Sequence, residues 1–159
     1  MIQIKLKKSE LMFDIKDKSH LETAQIEDVT ARYRIENGTE KQDEIERCLT
    51  ECIARLTKLV FRYLKKAYVI EADDLLNIPE QYVFDFDLTE REGTGKAQAM
   101  ADLMHDYIVS YTLAKFYASV SAGDLSNSRS ALAMAAGNEI TELLFTKAAP
   151  VSDYDTSVL

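Results

Sequence analysis

Residues 95–120 read GKAQAMADLMHDYIVSYTLAKFYASV, and Ala97, Met100, Met104, Tyr107, Ile108, Tyr111 and Ala114 return in it three or four residues apart. That is the spacing of one face of an α-helix, and an apolar stripe so continuous has to be covered by other parts of the chain. The spacing predicts a central core helix with the flanking segments packed upon it.

The segment upstream supplies one cover. From residue 40 to about 68, Ile45, Cys48, Leu49, Cys52, Leu56, Leu59, Val60, Tyr63 and Ala67 keep helical period, with Thr39 as cap and Gln42 at the capping-box position. A continuous helix over that run would be roughly 40 Å long. Its charges are sorted: Asp43, Glu44, Glu46 and Glu51 come first, then Arg55, Lys58, Arg62, Lys65 and Lys66. That order complements the helix macrodipole at both ends. Residues 69–79 read as a connection. Residues 81–88 alternate with aromatic and β-branched side chains, which predicts a strand able to pair with strands at the N-terminus. Residues 89–95 end it with two glycines and several charges.

Downstream, Gly123-Asp124-Leu125-Ser126-Asn127 breaks the pattern, and Ser126 or Asn127 can cap a last helix through Leu132, Ala136, Ile140, Leu143 and Leu144 to about residue 146. So short a connection makes the last two helices antiparallel neighbours. Ala131, Ala133, Ala135 and Ala136 allow them to approach closely. Residues 151–159, VSDYDTSVL, have no periodicity and read as a flexible tail or a partner-binding arm.

At the other end, Ile2, Ile4 and Leu6 alternate with Gln3, Lys5 and Lys7, and alternation resumes at Leu11, Phe13 and Ile15. Two strands joined by a turn near residues 7–10 satisfy that pattern. A helix capped by Ser9 competes, because Leu11, Met12 and Ile15 also share a helical face. Ser19-His20-Leu21-Glu22 has capping-box spacing and predicts a brief helix carrying Leu21 and Ala24 toward Ile26. Residues 28–39 read as a linker ending in a turn at Asn37-Gly38.

A chain of 159 residues fits one domain with one core. Its 47% hydrophobic and 29% charged shares are those of an ordinary globular protein, and no run reaches the roughly 18 apolar residues of a membrane span. MIQIKLKKSEL alternates where a secretory signal would place an unbroken apolar block, so the expected starting compartment is the cytoplasm. The formal charge of −8 opposes polyphosphate, and nucleic acid is not an expected partner. Cys48 and Cys52 lie on adjacent turns of one helix, in poor geometry for a disulfide, and read as two reduced thiols.

Chemistry-bearing patterns are few. Asp102 and His105 sit three apart on one helix, but a di-iron helix-bundle site needs Glu-x-x-His pairs, and the sequence has none. Cys48, Cys52 and His105 could offer three soft ligands only if two long helices met face to face, whereas a structural zinc draws on closely spaced pairs in loops. His20 and His105 stand in neither a nucleophile elbow nor a glycine-rich oxyanion loop. Gly93-Thr94-Gly95-Lys96 lacks the upstream glycine of a phosphate-binding loop and is followed by alanine. No metal, cofactor or catalytic residue is therefore assigned. The basic run from Arg55 to Lys66 reads as a solvated face or as a contact with the acidic start of the same helix on another copy.

Taken together, SELMFDIKDKSHLETAQI, DEIERCLTECIARLTKLVFRYL and YVFDFDLTEREGTGKAQAMADLMHDYIVSYTLAKFYASV resemble short structural proteins of tailed phages and prophages. The second half, with DYIVSYTLAKFY, a short turn, another helix and LLFTKAAP, is similar to their helical head-tail connector, or adaptor, proteins. The resemblance implies a non-enzymatic virion protein, a head-tail connector or tail component, which assembles as a homo-oligomeric ring and meets neighbouring virion proteins. It implies residence in the virion, and in the host cytoplasm during assembly. It carries over no functional residue. The strands depart from all-helical adaptors and leave a tail component or another virion protein open; a cytoplasmic helical interaction module or small regulator is the alternative.

The expected fold is α+β and mainly α, with a three-helix core of two long helices and a C-terminal helix, and a sheet of two or three strands. One domain covers 1–150, β-containing over 1–38 and helical over 39–147. Interface residues expected from charge and from the tail are Asp43, Glu44, Glu51, Arg55, Lys58, Arg62, Lys65, Lys66 and Tyr154.

Overall fold

A computed structural model describes residues 2–30, 32–33, 42–65, 80–87 and 93–148. Strand β1 (Ile2–Lys7) runs straight into helix α1 (Lys8–Ala24); α2 (Gln42–Val60) ends in a 3-10 turn (Phe61–Tyr63); β2 (Gln81–Phe86), α3 (Gly93–Ser119) and α4 (Gly123–Ala148) follow. The fold is α+β and mainly helical, as the periodicities predict, with four long helices among the described residues where a core of three is expected.

The fourth helix is α1, and it corrects two readings at once. Leu11, Met12, Ile15, Ser19 and Thr23 are buried along one side of it, whereas Phe13, which a second strand would turn inward beside Leu11 and Ile15, is 68% exposed. Helical spacing buries five residues at the cost of leaving the Phe13 ring outside, and the hairpin gives way. Ser19 starts no helix of its own. It lies inside α1, where its carbonyl accepts a bond from Thr23 Oγ1.

β1 pairs antiparallel with β2, Ile2 opposite Phe86, Ile4 opposite Phe84 and Leu6 opposite Tyr82. Ile4, Leu6, Tyr82, Phe84 and Phe86 are buried, so the inward residues of both strands meet in cross-strand pairs on one face. On the outer face Gln3 Nε2 donates to Asp85 Oδ1 at 2.7 Å. The free edge of β2 is met by the chain leaving α2. Leu64 bridges Phe86, Lys65 N–H donates to the Asp85 carbonyl at 2.8 Å and Asp87 N–H donates to that of Tyr63 at 2.9 Å.

This bridge explains why α2 stops short of the predicted end near residue 68. Val60 leaves helical geometry (φ −100°, ψ 2°) and Leu64 is extended, because backbone groups past the 3-10 turn are taken by the sheet. Ala67, Lys66 and Tyr68 lie outside the described residues, as do Thr39, the Asn37-Gly38 turn, Leu88 and the tail at 151–159. Residues 29–30 and 32–33, read as linker, are helical.

The core centres on α3. Met100, Met104, Ile108, Val109, Leu113, Phe116 and Tyr117 are buried and take up well over half of the helix circumference. α4 covers one side through Ala133, Ala136, Ile140 and Leu144; α2 covers another through Ile45, Leu49, Cys52, Ile53, Leu56 and Val60. Two expected core positions face outward instead, Leu132 at 54% and Leu59 at 39% exposure. The turn between α3 and α4 comes earlier than the 123–127 break. Ser121 takes a left-handed φ of 61°, and Ala122 N–H donates back to the Tyr117 carbonyl at 2.8 Å, a helix-ending arrangement that glycine usually fills. α4 is already under way at Gly123. Ser126 does not cap it; its hydroxyl crosses to the Ala114 carbonyl on α3 at 2.9 Å and ties the two helices together.

Candidate functional site

The charge-sorted face of α2 exists because its opposite face is buried without interruption. Leu49, Cys52, Leu56 and Val60 are fully buried, which fixes the rotation of the helix and sends Asp43, Glu51, Arg55 and Lys58 to solvent, with Glu44 half-buried. Arg62, in the 3-10 turn, and Lys65 beyond it are exposed as well. Lys66 and Tyr154 lie outside the described residues.

The fold sorts these charges further. Glu51 is met by Lys115 of α3 at 3.3 Å, and Glu46 by Lys8 of α1 at 2.9 Å. The acidic half of α2 is thus partly spent inside the molecule. Arg55, Lys58 and Arg62 make no ion pair among the described residues. Three cations at one end of a helix in a chain of net charge −8 remain available.

Beside them runs a strip that the sequence reading assigned to the core. Tyr107 and Tyr111, four apart on α3, are only half-buried; their rings stack with centroids 5.8 Å apart and planes 19° from parallel. Lys115 continues the row, its ammonium 5.8 Å from the Tyr111 ring centroid. A side chain at Gly137 of α4 would come within 3.2 Å of the Tyr107 ring and 3.7 Å of Leu59, so glycine there lets α2, α3 and α4 meet. Burial pushes the Tyr107 hydroxyl up to about 12, the neighbouring Cys52 and Tyr111 add to the rise, and Arg55 opposes it. The strip was hidden in the sequence because tyrosines at helical spacing read as core; the lysine four residues further on was the one sign that this edge reaches water.

The cysteines are thiols. Cys52 is fully buried and donates to the Ile108 carbonyl at 3.7 Å, and burial raises its pKa strongly; burial also raises that of half-buried Cys48, with Glu44 and Glu51 adding to it. Neither has the lowered pKa of a reactive thiol. His105 is turned to α1, where its Nε2 meets Asp14 Oδ2 at 2.5 Å, so it does not join the cysteines on α2. Among the described residues no three His, Cys, Asp or Glu side chains gather as metal ligands would. Glu22 and Arg129 form a further pair, between α1 and α4, and desolvation lowers the arginine pKa. These pairs bind the helices to one another rather than converge on a reacting centre.

What the geometry defines is a mainly helical α+β domain carrying a cationic and aromatic surface where three helices meet. Comparison with protein-family models, with curated proteins and with solved structures finds no match. No helix among the described residues is long and apolar enough to cross a membrane.

Proposed function

We propose that the chain is a non-enzymatic structural protein of a tailed-phage or prophage virion, a head-tail connector or tail component, which works by assembling head to tail into a ring with neighbouring virion proteins. The observation that supports assembly is the set of exposed cations, Arg55 and Lys58 at the end of α2 and Arg62 in the turn after it, without ion-pair partners among the described residues, with exposed Asp43 at the start of that helix. Opposite charges at two ends of one rigid element give a heterologous contact, which repeats with the same hand and closes into a ring or continues as a filament. Each exposed pair contributes at most about 1 kcal/mol, so charge sets register and apolar contacts supply affinity. The assignment to a virion comes from the sequence resemblance.

The test is co-assembly with the purified products of neighbouring genes, which should encode portal, capsid or tail proteins. Wild type should enter a particle of ring mass by light scattering, and Arg55→Glu/Arg62→Glu should enter it less well, with the difference shrinking as salt rises. Equal incorporation at low and high salt would remove these cations from the interface, and an operon of metabolic genes would remove the virion.

A further inference from the structure

The cationic strip has two ready sources of carboxylate in a neighbouring copy, the start of α2 and the C-terminal sequence, and they are unequal. At the start of α2 the fold has already engaged Glu46 with Lys8 and Glu51 with Lys115, which leaves Asp43 and the half-buried Glu44. The sequence at 151–159, VSDYDTSVL, places Asp153 and Asp155 on either side of Tyr154 and has no basic residue, with Val151, Val158 and Leu159 as apolar anchors.

The receiving surface has the complementary chemistry. Arg55, Leu59 and Arg62 follow at four- and three-residue spacing, two cations about an apolar side chain that is 39% exposed. Tyr107, beside Arg55 and Leu59, stacks on Tyr111, both rings half-buried, and Met134, three residues before the Gly137 that adjoins Tyr107 and Leu59, is 68% exposed on α4. Carboxylates suit the arginines, a tyrosine ring suits an arginine plane, and aliphatic side chains suit Leu59 and Met134. Resting on the reading of head-to-tail assembly, we propose that this surface of α2, α3 and α4 receives residues 151–159 of a second copy of the chain.

A second copy rather than the chain's own segment follows from the head-to-tail reading, in which each chain meets the next through two different surfaces. Gly137 sits beside Leu59, and α4 ends at Ala148 about 16 Å further on, a distance well within the roughly 35 Å that eleven extended residues span, so reach alone does not choose between the two. Docking within one chain would leave wild type monomeric, and that outcome overturns the proposal.

The experiment uses full-length chains with exchanged charges. Arg55→Glu/Arg62→Glu spoils the receiving surface at two exposed positions, and Asp153→Lys/Asp155→Lys spoils the donor; unchanged melting temperatures confirm that both variants fold. By sedimentation velocity at concentrations on the order of 100 µM, wild type should associate, and each variant alone should associate at least about tenfold more weakly. An equimolar mixture should recover association, because each chain then offers what the other lacks. A mixture that stays monomeric overturns the proposal, as does wild-type association in either variant alone. Recovery with Asp43→Lys/Glu44→Lys in place of the C-terminal variant would overturn it in favour of the α2 start. Virion co-assembly is scored separately: incorporation of wild type without recovery in the mixture defeats the docking alone, and recovery without incorporation defeats the virion reading alone.

Discussion

α2 and α3 are both long helices with apolar stripes, and they solve opposite problems. α2 has one buried face and one charged face, so every third or fourth side chain belongs to the core and the rest to water. α3 is enclosed by α1, α2, α4 and the sheet, and buries Val109, Leu113 and Tyr117 as well as the stripe of Met100, Met104 and Ile108. The difference teaches where each can change. On α2 a substitution acts according to its angle about the axis; on α3 a larger share of angles is interior, and what reaches water is divided between Asp102 and Asp106 and the row of Tyr107, Tyr111 and Lys115.

The largest effect expected is on the inner face of α2. Leu56→Asp places an unpaired carboxylate at a fully buried position and should cost on the order of 4 kcal/mol or more, enough to unfold a domain of ordinary stability. Leu59→Asp, three residues on at 39% exposure, should cost about 1 kcal/mol or less. Circular dichroism melts of the pair would break the comparison if Leu56→Asp melted with wild type.

A middle-sized effect separates α3 from the outer side of α4. Phe116→Ala removes a ring with no exposed surface and should lose about 3–5 kcal/mol by cavity formation, whereas Leu132→Ala, at 54% exposure, should stay within about 0.5 kcal/mol of wild type. Urea midpoints at constant slope measure both. Equal losses would mean that α4 is covered on its outer side as α3 is.

The smallest effect probes the exposed edge of α3. Burial raises the Tyr107 pKa from 10 in the unfolded chain to about 12 in the folded one, so its neutral form is favoured by folding. The contribution is complete below pH 10 and is lost as pH rises from 10 toward 12, where the unfolded state releases the proton first. Melting temperature should therefore fall less steeply with alkaline pH in Tyr107→Phe than in wild type. Because the ring is half-exposed the difference is a slope rather than an unfolding, and identical slopes would place the hydroxyl in free solvent.

Period and composition were enough to identify α2, α3, α4 and a strand starting at Gln81 that was able to pair with the N-terminus, because helical and strand spacings in those stretches do not compete. They also carried the outward face of α2, since burying Leu49, Cys52 and Leu56 leaves its charges nowhere else to go. Three things were decided only in the tertiary structure. Leu11, Phe13 and Ile15 fit both periods, and α1 forms because helical packing against the core buries Leu11, Met12 and Ile15 together. α2 ends at Val60, in a stretch that keeps helical spacing, because the edge of β2 claims the backbone of Lys65 and Tyr63. Tyr107 and Tyr111 stay half-exposed, although their spacing is that of a core stripe, because the cover they receive is partial: Leu59 and Gly137 close in beside Tyr107, and Lys115 follows Tyr111 into water. Local spacing states which residues want cover; how much cover each receives depends on the shapes of elements distant in sequence, and that is a property of the packed whole.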